Sequence, residues 1–260
     1  MSGLGAMRDE AEAAGTGGAL ARAAEILSLF DPARPMRDLR DLAEATGIPK
    51  ATLLGILNTL VRHDLLLRDG DNGSYRLGYA WLRLADIRRT QSEIRQSALP
   101  IMRQIRDATD ETVILSLRIG DRRVHLDYVE STQPVRRIAH PGQEAPLHVG
   151  AAGRVLLAGL SDADVAAYLA RADRIGAARA AEIRKAIETI RHDGYAVVAG
   201  TVNPDTAAVA APVQSYDGAT VAALTISCPR DRFTSQIGER FAREIVQGAR
   251  ALSRSLGYTT

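Results

Sequence analysis

Residues 46–63 read TGIPKATLLGILNTLVRH, and they set the architecture. Leu53, Ile56, Leu57, Leu60 and Val61 recur at intervals of three and four, the period of one face of an α-helix. Thr46-Gly47 closes whatever helix comes before, because glycine takes the left-handed conformation of a C-terminal cap without steric cost. Pro49 suits the first position of the helix that follows, where a missing N–H is harmless. That helix runs to about His63. Turned away from its apolar side are Lys50, Ala51, Thr52, Gly55, Thr59 and Arg62, with Asn58 near the edge. No acidic residue occurs from Ala45 to His63.

Upstream, Leu20, Ala23, Ala24, Leu27 and Phe30 follow helical spacing and predict an amphipathic helix after Gly18. Asp31-Pro32 stops it, and Pro35 extends the break. A short helix then starts at Asp38 with Leu39, Leu42 and Ala43 on one face. Downstream, Leu65 to Arg68 and Tyr75 to Leu77 flank Asp69-Gly70-Asp71-Asn72-Gly73-Ser74, a dense turn signal that predicts a β-hairpin. Three helices followed by a hairpin is the order of a winged helix. Such a motif lays its second helix in the major groove. A carboxylate there would repel phosphates, so the acid-free outer face is what DNA contact requires. Lys50 and Thr52 stand where a helix start meets a phosphate. Asn58 and Arg62 stand where base edges or phosphates lie within reach. Arg68 and Arg76, on the hairpin, are placed for the flanking backbone or the minor groove. A winged helix that binds protein, or a plain solvated surface, are the other readings of the same residues.

From Tyr79 to about Ala108 the pattern is helical, interrupted at Pro100, with Trp81, Leu84 and Ile87 on one face. This predicts a linker helix and then the first helix of a second domain, or else one bent helix. Strands are expected at 112–119 and 122–129 around the Gly120-Asp121 turn, then at 195–198, 207–214 and 220–227. Helices are expected at 150–160, 164–171, 178–192 and from Arg230 onward. Interleaved helices and hairpins indicate an α+β or α/β domain with a partly antiparallel sheet. The domain plan is a lead-in without fixed structure at 1–18, a winged helix-turn-helix at 19–78, a linker helix at 79–95 and a second domain at 96–260.

The chain has 260 residues, 46% of them apolar and 25% charged, which suffices to bury a core without disulfide staples. A net charge of +2 rules out a polybasic tail. It does not rule out nucleic acid, since only the contacting face must be positive. The lone cysteine, Cys228, can form neither an internal disulfide nor a cysteine-based zinc site. No apolar run approaches the roughly 20 residues that span a bilayer, and residues 1–18 lack the apolar core of a signal peptide. A cytoplasmic protein is expected. No P-loop, G-x-S-x-G or H-E-x-x-H occurs, so no cofactor, no metal and no enzyme activity are expected. The enzymatic alternative would be a Cys228 nucleophile with His125, His140, His148 or His192 as base.

Two places suit an anionic ligand. Gly150-Ala151-Ala152-Gly153 opens a helix with small side chains, and the first N–H groups of a helix favour an anion. Thr225 and Ser227, two apart on a strand, face the same side and can donate to one ligand.

The sequence resembles the IclR family of transcription regulators. The likeness runs through Ala21-Arg22-Ala23, Ile26-Leu27, Leu42-Ala43, residues 46–52, Leu57-Asn58-Thr59-Leu60 and Tyr75-Arg76-Leu77-Gly78. It continues through Glu111-Thr112-Val113, Pro146-Leu147-His148, Ala152-Gly153-Arg154, Leu156-Leu157-Ala158, Gly194-Tyr195-Ala196, residues 210–213 and residues 222–227 with Pro229 and Arg232. The resemblance implies an α+β chain: an N-terminal winged helix-turn-helix joined by a linker helix to a C-terminal GAF-like α/β sensing domain. It also implies a homodimer or tetramer, a pseudo-palindromic operator on double-stranded DNA, and a small organic effector, often a carboxylate. The expected function is a DNA-binding regulator, a repressor whose operator affinity the effector modulates through the linker near Trp81 to Ile87. Family pockets pair the helix start with the strand hydroxyls, which places Val198 and Ala208 on the pocket wall. Arg136 and Arg137 fall near the pocket mouth, where either could meet a carboxylate. The chain departs from the pattern at Ala51 and Gly55, where relatives often carry Ser and Arg. It departs again at Val198, Asn203 and Asp205, so no relative's effector transfers.

Overall fold

A computed structural model of the chain describes residues 18–70, 73–90, 93–172 and 175–259, the side chains of 86 and 88–90 excepted. The expected lead-in, apart from Gly18, lies outside the described residues, as do Asp71 and Asn72 of the hairpin turn. The chain divides into two units, residues 1–88 and 89–260.

The first unit holds helices α1 (Ala19–Ser28), α2 (Leu39–Thr46) and α3 (Lys50–Arg62). Strands β1 (Met36–Arg37), β2 (Leu66–Arg68) and β3 (Tyr75–Leu77) form a three-stranded sheet in the order β1-β3-β2. Helix α2 begins where the Asp38 carboxylate accepts the Asp41 N–H at 2.7 Å, and it ends at Gly47, whose φ is 67°. Those two caps fix the turn that aims α3. Pro49 is the cap residue of α3, with an extended ψ of 136°, one position earlier than the spacing places it. Leu53, Leu57 and Leu60 bury one side of α3 against Ile26, Leu42, Ile48, Leu66 and Tyr75. In α1 the inner stripe runs through Ala23, Ile26 and Leu27, and Phe30, just past the helix, packs on the same core. Leu20, expected inside, is 85% exposed, because it sits a turn beyond the edge of this small core.

Strand β1 has no counterpart in the sequence reading, which takes the segment as a break. Two residues are too few to show a period of two. Buried Arg37 anchors it, donating to the Leu29 carbonyl and the Asp41 carboxylate, both at 2.8 Å. After β3 the chain passes so close to the turn before β2 that a Cβ on Gly78 would lie 2.0 Å from the Asp64 carbonyl oxygen, so only glycine fits. Helix α4 (Ala80–Thr90) follows, and its Trp81 indole N–H donates to the Leu65 carbonyl at 2.8 Å. Leu84 and Ile87, set by helical spacing on one face with Trp81, are 47% and 45% exposed.

The second unit is a six-stranded antiparallel sheet covered on both faces. Its strands are β4 (Thr112–Ile119), β5 (Arg122–Val129), β6 (Glu144–Pro146), β7 (Ala196–Ala199), β8 (Thr206–Gln214) and β9 (Thr220–Pro229), in the order β6-β5-β4-β9-β8-β7. Alternation along each strand sorts the side chains onto two faces. Val113, Leu115, Val209, Leu224, Ile226 and Cys228 pack with α5 (Glu93–Thr109) and α9 (Ser235–Ser255). Ala196, Val198, Ala210 and Ala223 pack with α6 (Gly150–Ala158), α7 (Asp162–Arg171) and α8 (Ala177–Asp193).

Three expectations are corrected here. Pro100 does not interrupt its helix; it sits inside α5, whose stripe of Ala98, Met102 and Ile105 holds both halves on the sheet. The closing helix starts at Ser235, not Arg230, because a 3-10 turn at Arg230–Arg232 precedes the Thr234 cap. Short β6 is absent from the sequence reading, since a three-residue edge strand carries no periodic signal.

Candidate nucleic-acid interface and ligand cavity

The outer face of α3 is built by its inner one. With Leu53, Leu57 and Leu60 locked in the core, the helix has no rotational freedom, and Lys50, Ala51, Thr52, Gly55, Asn58, Thr59 and Arg62 all stand exposed. Arg68 and Arg76 are exposed on the hairpin. Among the described residues, neither Lys50 nor Arg62, Arg68 or Arg76 has a carboxylate partner. The start of α3 has no side-chain cap and no acid in its first turn, so its leading N–H groups stay open to an anion. Two of the expected contacts are partly committed within the fold. The Thr59 hydroxyl donates to the Gly55 carbonyl at 2.9 Å, and the Arg68 guanidinium lies 5.9 Å from the centre of the Tyr75 ring, its cross-strand neighbour. Gly55 offers no side chain to meet a groove, but it lets backbone approach closely.

In the second unit a cavity of about 50 Å³ opens where the start of α6 crosses the sheet. Gly150, Ala151, Ala152, Val198, Ala208, Thr225 and Ser227 line it, as expected from the sequence. Gly153 does not. A Cβ there would lie 2.4 Å from the Leu147 carbonyl oxygen, so this glycine serves the close packing of α6 on the preceding loop. Register explains the convergence: Val198 pairs with Ala208 and Ala208 with Ser227, one row across β7, β8 and β9. Thr225 pairs with Ile114 on β4 in the next row on the same face.

The cavity also holds two β5 side chains that the sequence reading assigns no place in the pocket, together with Arg137, which it sets near the pocket mouth. Arg123 and His125 reach it from β5, and Arg137 from the loop after that strand. Arg123 is 4% exposed, and one of its terminal nitrogens donates to His125 Nε2 at 2.9 Å. The other ring nitrogen, Nδ1, then donates to Ser116 Oγ at 2.9 Å, a tautomer assigned from these partners. Burial, then the charges of Arg123 and Arg137, push the His125 pKa down to about 3, so the ring is a neutral acceptor. Burial also lowers Arg123, to about 10, with Arg137 adding to the effect; the guanidinium stays charged at neutral pH. Arg136 is drawn away from the cavity by Glu130 at 2.8 Å. The missed signal was in the strand itself. Arg123 and His125 alternate with Val124 and Leu126, and the polar set is the one that faces the α6 side.

Cys228 lies on the opposite sheet face, one residue from Ser227, and burial pushes its thiol up to about 12. A thiol of that pKa supplies almost no thiolate at neutral pH and makes a poor nucleophile. His148 is held by the Tyr168 hydroxyl at 2.7 Å, and His192 pairs with Asp193. No described helix is long and apolar enough to cross a membrane.

Two family models match the chain: the IclR helix-turn-helix domain over residues 19–70, and the bacterial transcriptional regulator IclR C-terminal domain over residues 89–254. The chain is similar to the HTH-type transcriptional regulator KipR of Bacillus subtilis, 28% identical over 231 residues that cover 87% of this chain and 92% of that protein. An IclR transcriptional regulator from Alicyclobacillus acidocaldarius is 25% identical with a TM-score of 0.79, over 91% of this chain and 97% of that one. An IclR homologue from Microbacterium hydrocarbonoxydans, solved in complex with 4-hydroxybenzoate, shares the fold at 23% identity, with a TM-score of 0.74 over 92% of this chain and all (100%) of that one. The matched families and relatives are transcriptional regulators, not enzymes.

Proposed function

The chain belongs to the IclR family of bacterial DNA-binding transcriptional regulators, and on that premise we propose that it is a cytoplasmic repressor released or tightened by a small organic carboxylate. Residues 19–78 act as the DNA-binding domain, 79–95 as the linker and 96–260 as the effector-binding domain. The observation that carries the reading is the outer face of α3: exposed cations without carboxylate partners, an uncapped helix start and no acid from Ala45 to His63. Lys50 and the first N–H groups take a phosphate, Arg62 takes another, and Asn58 reads a base edge. Arg68 and Arg76 hold the flanking backbone. Repression needs nothing beyond occupancy of the operator, whereas activation needs a further surface for polymerase.

The acting species is a homodimer or tetramer on a pseudo-palindromic operator, because two-fold protein symmetry matches two-fold half-sites. Exposed Leu82, Leu84 and Ile87 on α4 give a second copy apolar surface to cover. The effector sits between the start of α6 and the hydroxyls of Thr225 and Ser227. A carboxylate suits it because helix N–H groups and guanidinium groups converge there without an acid. The bound 4-hydroxybenzoate of the Microbacterium homologue is an acid of this broad class.

Gel shift with an operator recovered from genomic fragments tests the reading. Binding that weakens steeply with salt, and that a carboxylate effector alters, is the expected result. Salt-insensitive association, or enrichment of proteins instead of DNA, would contradict it.

A further inference from the structure

We propose that the cavity takes a small dicarboxylate, with Arg123 and Arg137 holding one carboxylate and the start of α6, Thr225 and Ser227 holding the other. The inference deepens the effector reading and rests on it.

Charge makes the first case. Two guanidinium groups line the cavity, and among the described residues none that lines it is acidic. Several other arginines of the unit are paired, Arg95 with Asp127, Arg136 with Glu130 and Arg232 with Glu111 among them, while Arg154, outside the cavity lining, makes no ion pair among the described residues. Arg123 and Arg137 have no such partner among the described residues. One carboxylate would leave the site with a net positive charge; two carboxylates match the two guanidinium groups.

Unsatisfied polar atoms make the second. Arg123 Nε and Thr225 Oγ1 are buried with no hydrogen-bond partner, in residues 4% and 5% exposed that both line the cavity. Buried polar groups are paired in nearly all folded proteins, and of the six buried orphan atoms among the described residues these two line the cavity. These two orphans lie on β5 and β9, with β4 between them. They are two strand spacings apart across the sheet, about 10 Å, and the register sets them four residues apart along β4 as well, about 13 Å. The long Arg123 side chain must therefore reach toward Thr225, and a single carboxylate does not cover both ends.

Size makes the third. A cavity of about 50 Å³ takes a small acid rather than a bulky one. His125 acts as a positioning residue: as a neutral acceptor held by Ser116, it fixes the Arg123 fork without cancelling its charge.

The test is calorimetric titration of the purified full chain with malonate, succinate and glutarate, set against butyrate, monomethyl succinate, benzoate and inorganic phosphate. At least one dicarboxylate should bind tenfold or more tighter than butyrate and monomethyl succinate. Arg137→Gln, on a half-buried loop position, should cut dicarboxylate affinity about tenfold and butyrate affinity less than threefold. Arg123→Gln should do the same if its thermal midpoint shows it folded; the wild-type panel and Arg137→Gln decide the matter if it is not. Thr225→Val should weaken both ligand classes. Monocarboxylates or benzoate binding as tightly as any dicarboxylate, with Thr225→Val still weakening them, would overturn the dicarboxylate and keep the carboxylate site. Phosphate binding tighter than every dicarboxylate would overturn it too. Failure of every carboxylate to bind the folded wild type would overturn both inferences.

Discussion

Two regions of this chain carry cations without carboxylate partners, and they differ in what surrounds them. On α3 and the hairpin, Lys50, Arg62, Arg68 and Arg76 stand in water. On β5 and its following loop, Arg123 and Arg137 point into a cavity, Arg123 almost wholly buried. In water a charge acts over a Debye length of about 10 Å and is screened by salt, so it suits a long polyanion whose position matters more than its identity. In a buried site the same charge is barely screened and is costly without a partner, so it suits one small anion of defined shape. One chemistry thus serves affinity for DNA and selectivity for a ligand, and burial decides which.

Salt should separate the two most strongly. Four phosphate-facing cations per winged helix give a slope of log affinity against log salt of about −3.6. Between 50 and 200 mM salt, DNA affinity should then fall roughly 150-fold for each winged helix engaged. Ligand affinity, measured by calorimetry over the same range, should change far less. Equal salt dependence would break the comparison.

Removing Lys50 and Arg62 together as alanines should lower operator affinity tenfold or more at moderate salt. It should flatten the slope by about 1.8 in gel-shift titrations, while thermal unfolding and ligand binding stay unchanged. Unchanged DNA affinity at both low and moderate salt would remove α3 from the interface.

The buried side should show itself in pH. His125 has a folded pKa of about 3 against 6.5 in the unfolded chain, so below pH 6.5 the unfolded state binds the extra proton. Stability is full above pH 6.5 and falls as the pH drops toward 3, by up to ~1.4 kcal/mol per unit from this residue. His148, also lowered by burial first and then by Arg179 and Arg154, adds in the same direction. The groups facing His125 are Arg123, Arg137 and Ser116, none of them acidic. Denaturant midpoints at pH 7, 6 and 5 should show the loss, and His125→Gln should shrink it.

The smallest expected effect belongs to Thr59→Ala. Its hydroxyl already donates to the Gly55 carbonyl, so DNA affinity should move by less than about threefold. A larger loss would show that the hydroxyl turns outward when DNA binds.

The winged helix was legible because local rules and tertiary packing agree there. Gly47 caps, Asp38 caps, and a 3-4 stripe of leucines decides which side of α3 faces out. What escaped was short or context-dependent. Strand β1 is two residues long, and Leu20 fits the helical stripe but lies past the end of the core. Pro100 reads as a break, yet packing of α5 on the sheet outweighs one lost hydrogen bond. At the cavity, the row of Val198, Ala208 and Ser227 was reached through family likeness and then explained by register. Gly153 was misplaced because a glycine at a helix start serves close packing as readily as ligand approach. Arg123 and His125 were missed because a polar residue alternating with apolar ones on a strand is ordinarily taken as outward. Here both sheet faces are covered, so the polar set also faces a packed layer, and only the three-dimensional pairing shows it.

The central claim is that the outer face of α3 reads operator DNA. Selection of genomic fragments by the purified full chain, followed by salt-titrated gel shift with wild type and the Lys50→Ala, Arg62→Ala double variant, tests it most directly. The account predicts a recovered pseudo-palindrome, a steep salt slope, and a slope flattened by about 1.8 in the double variant. No enrichment over random fragments by folded protein at low salt, or a double variant that binds as wild type does, would contradict it.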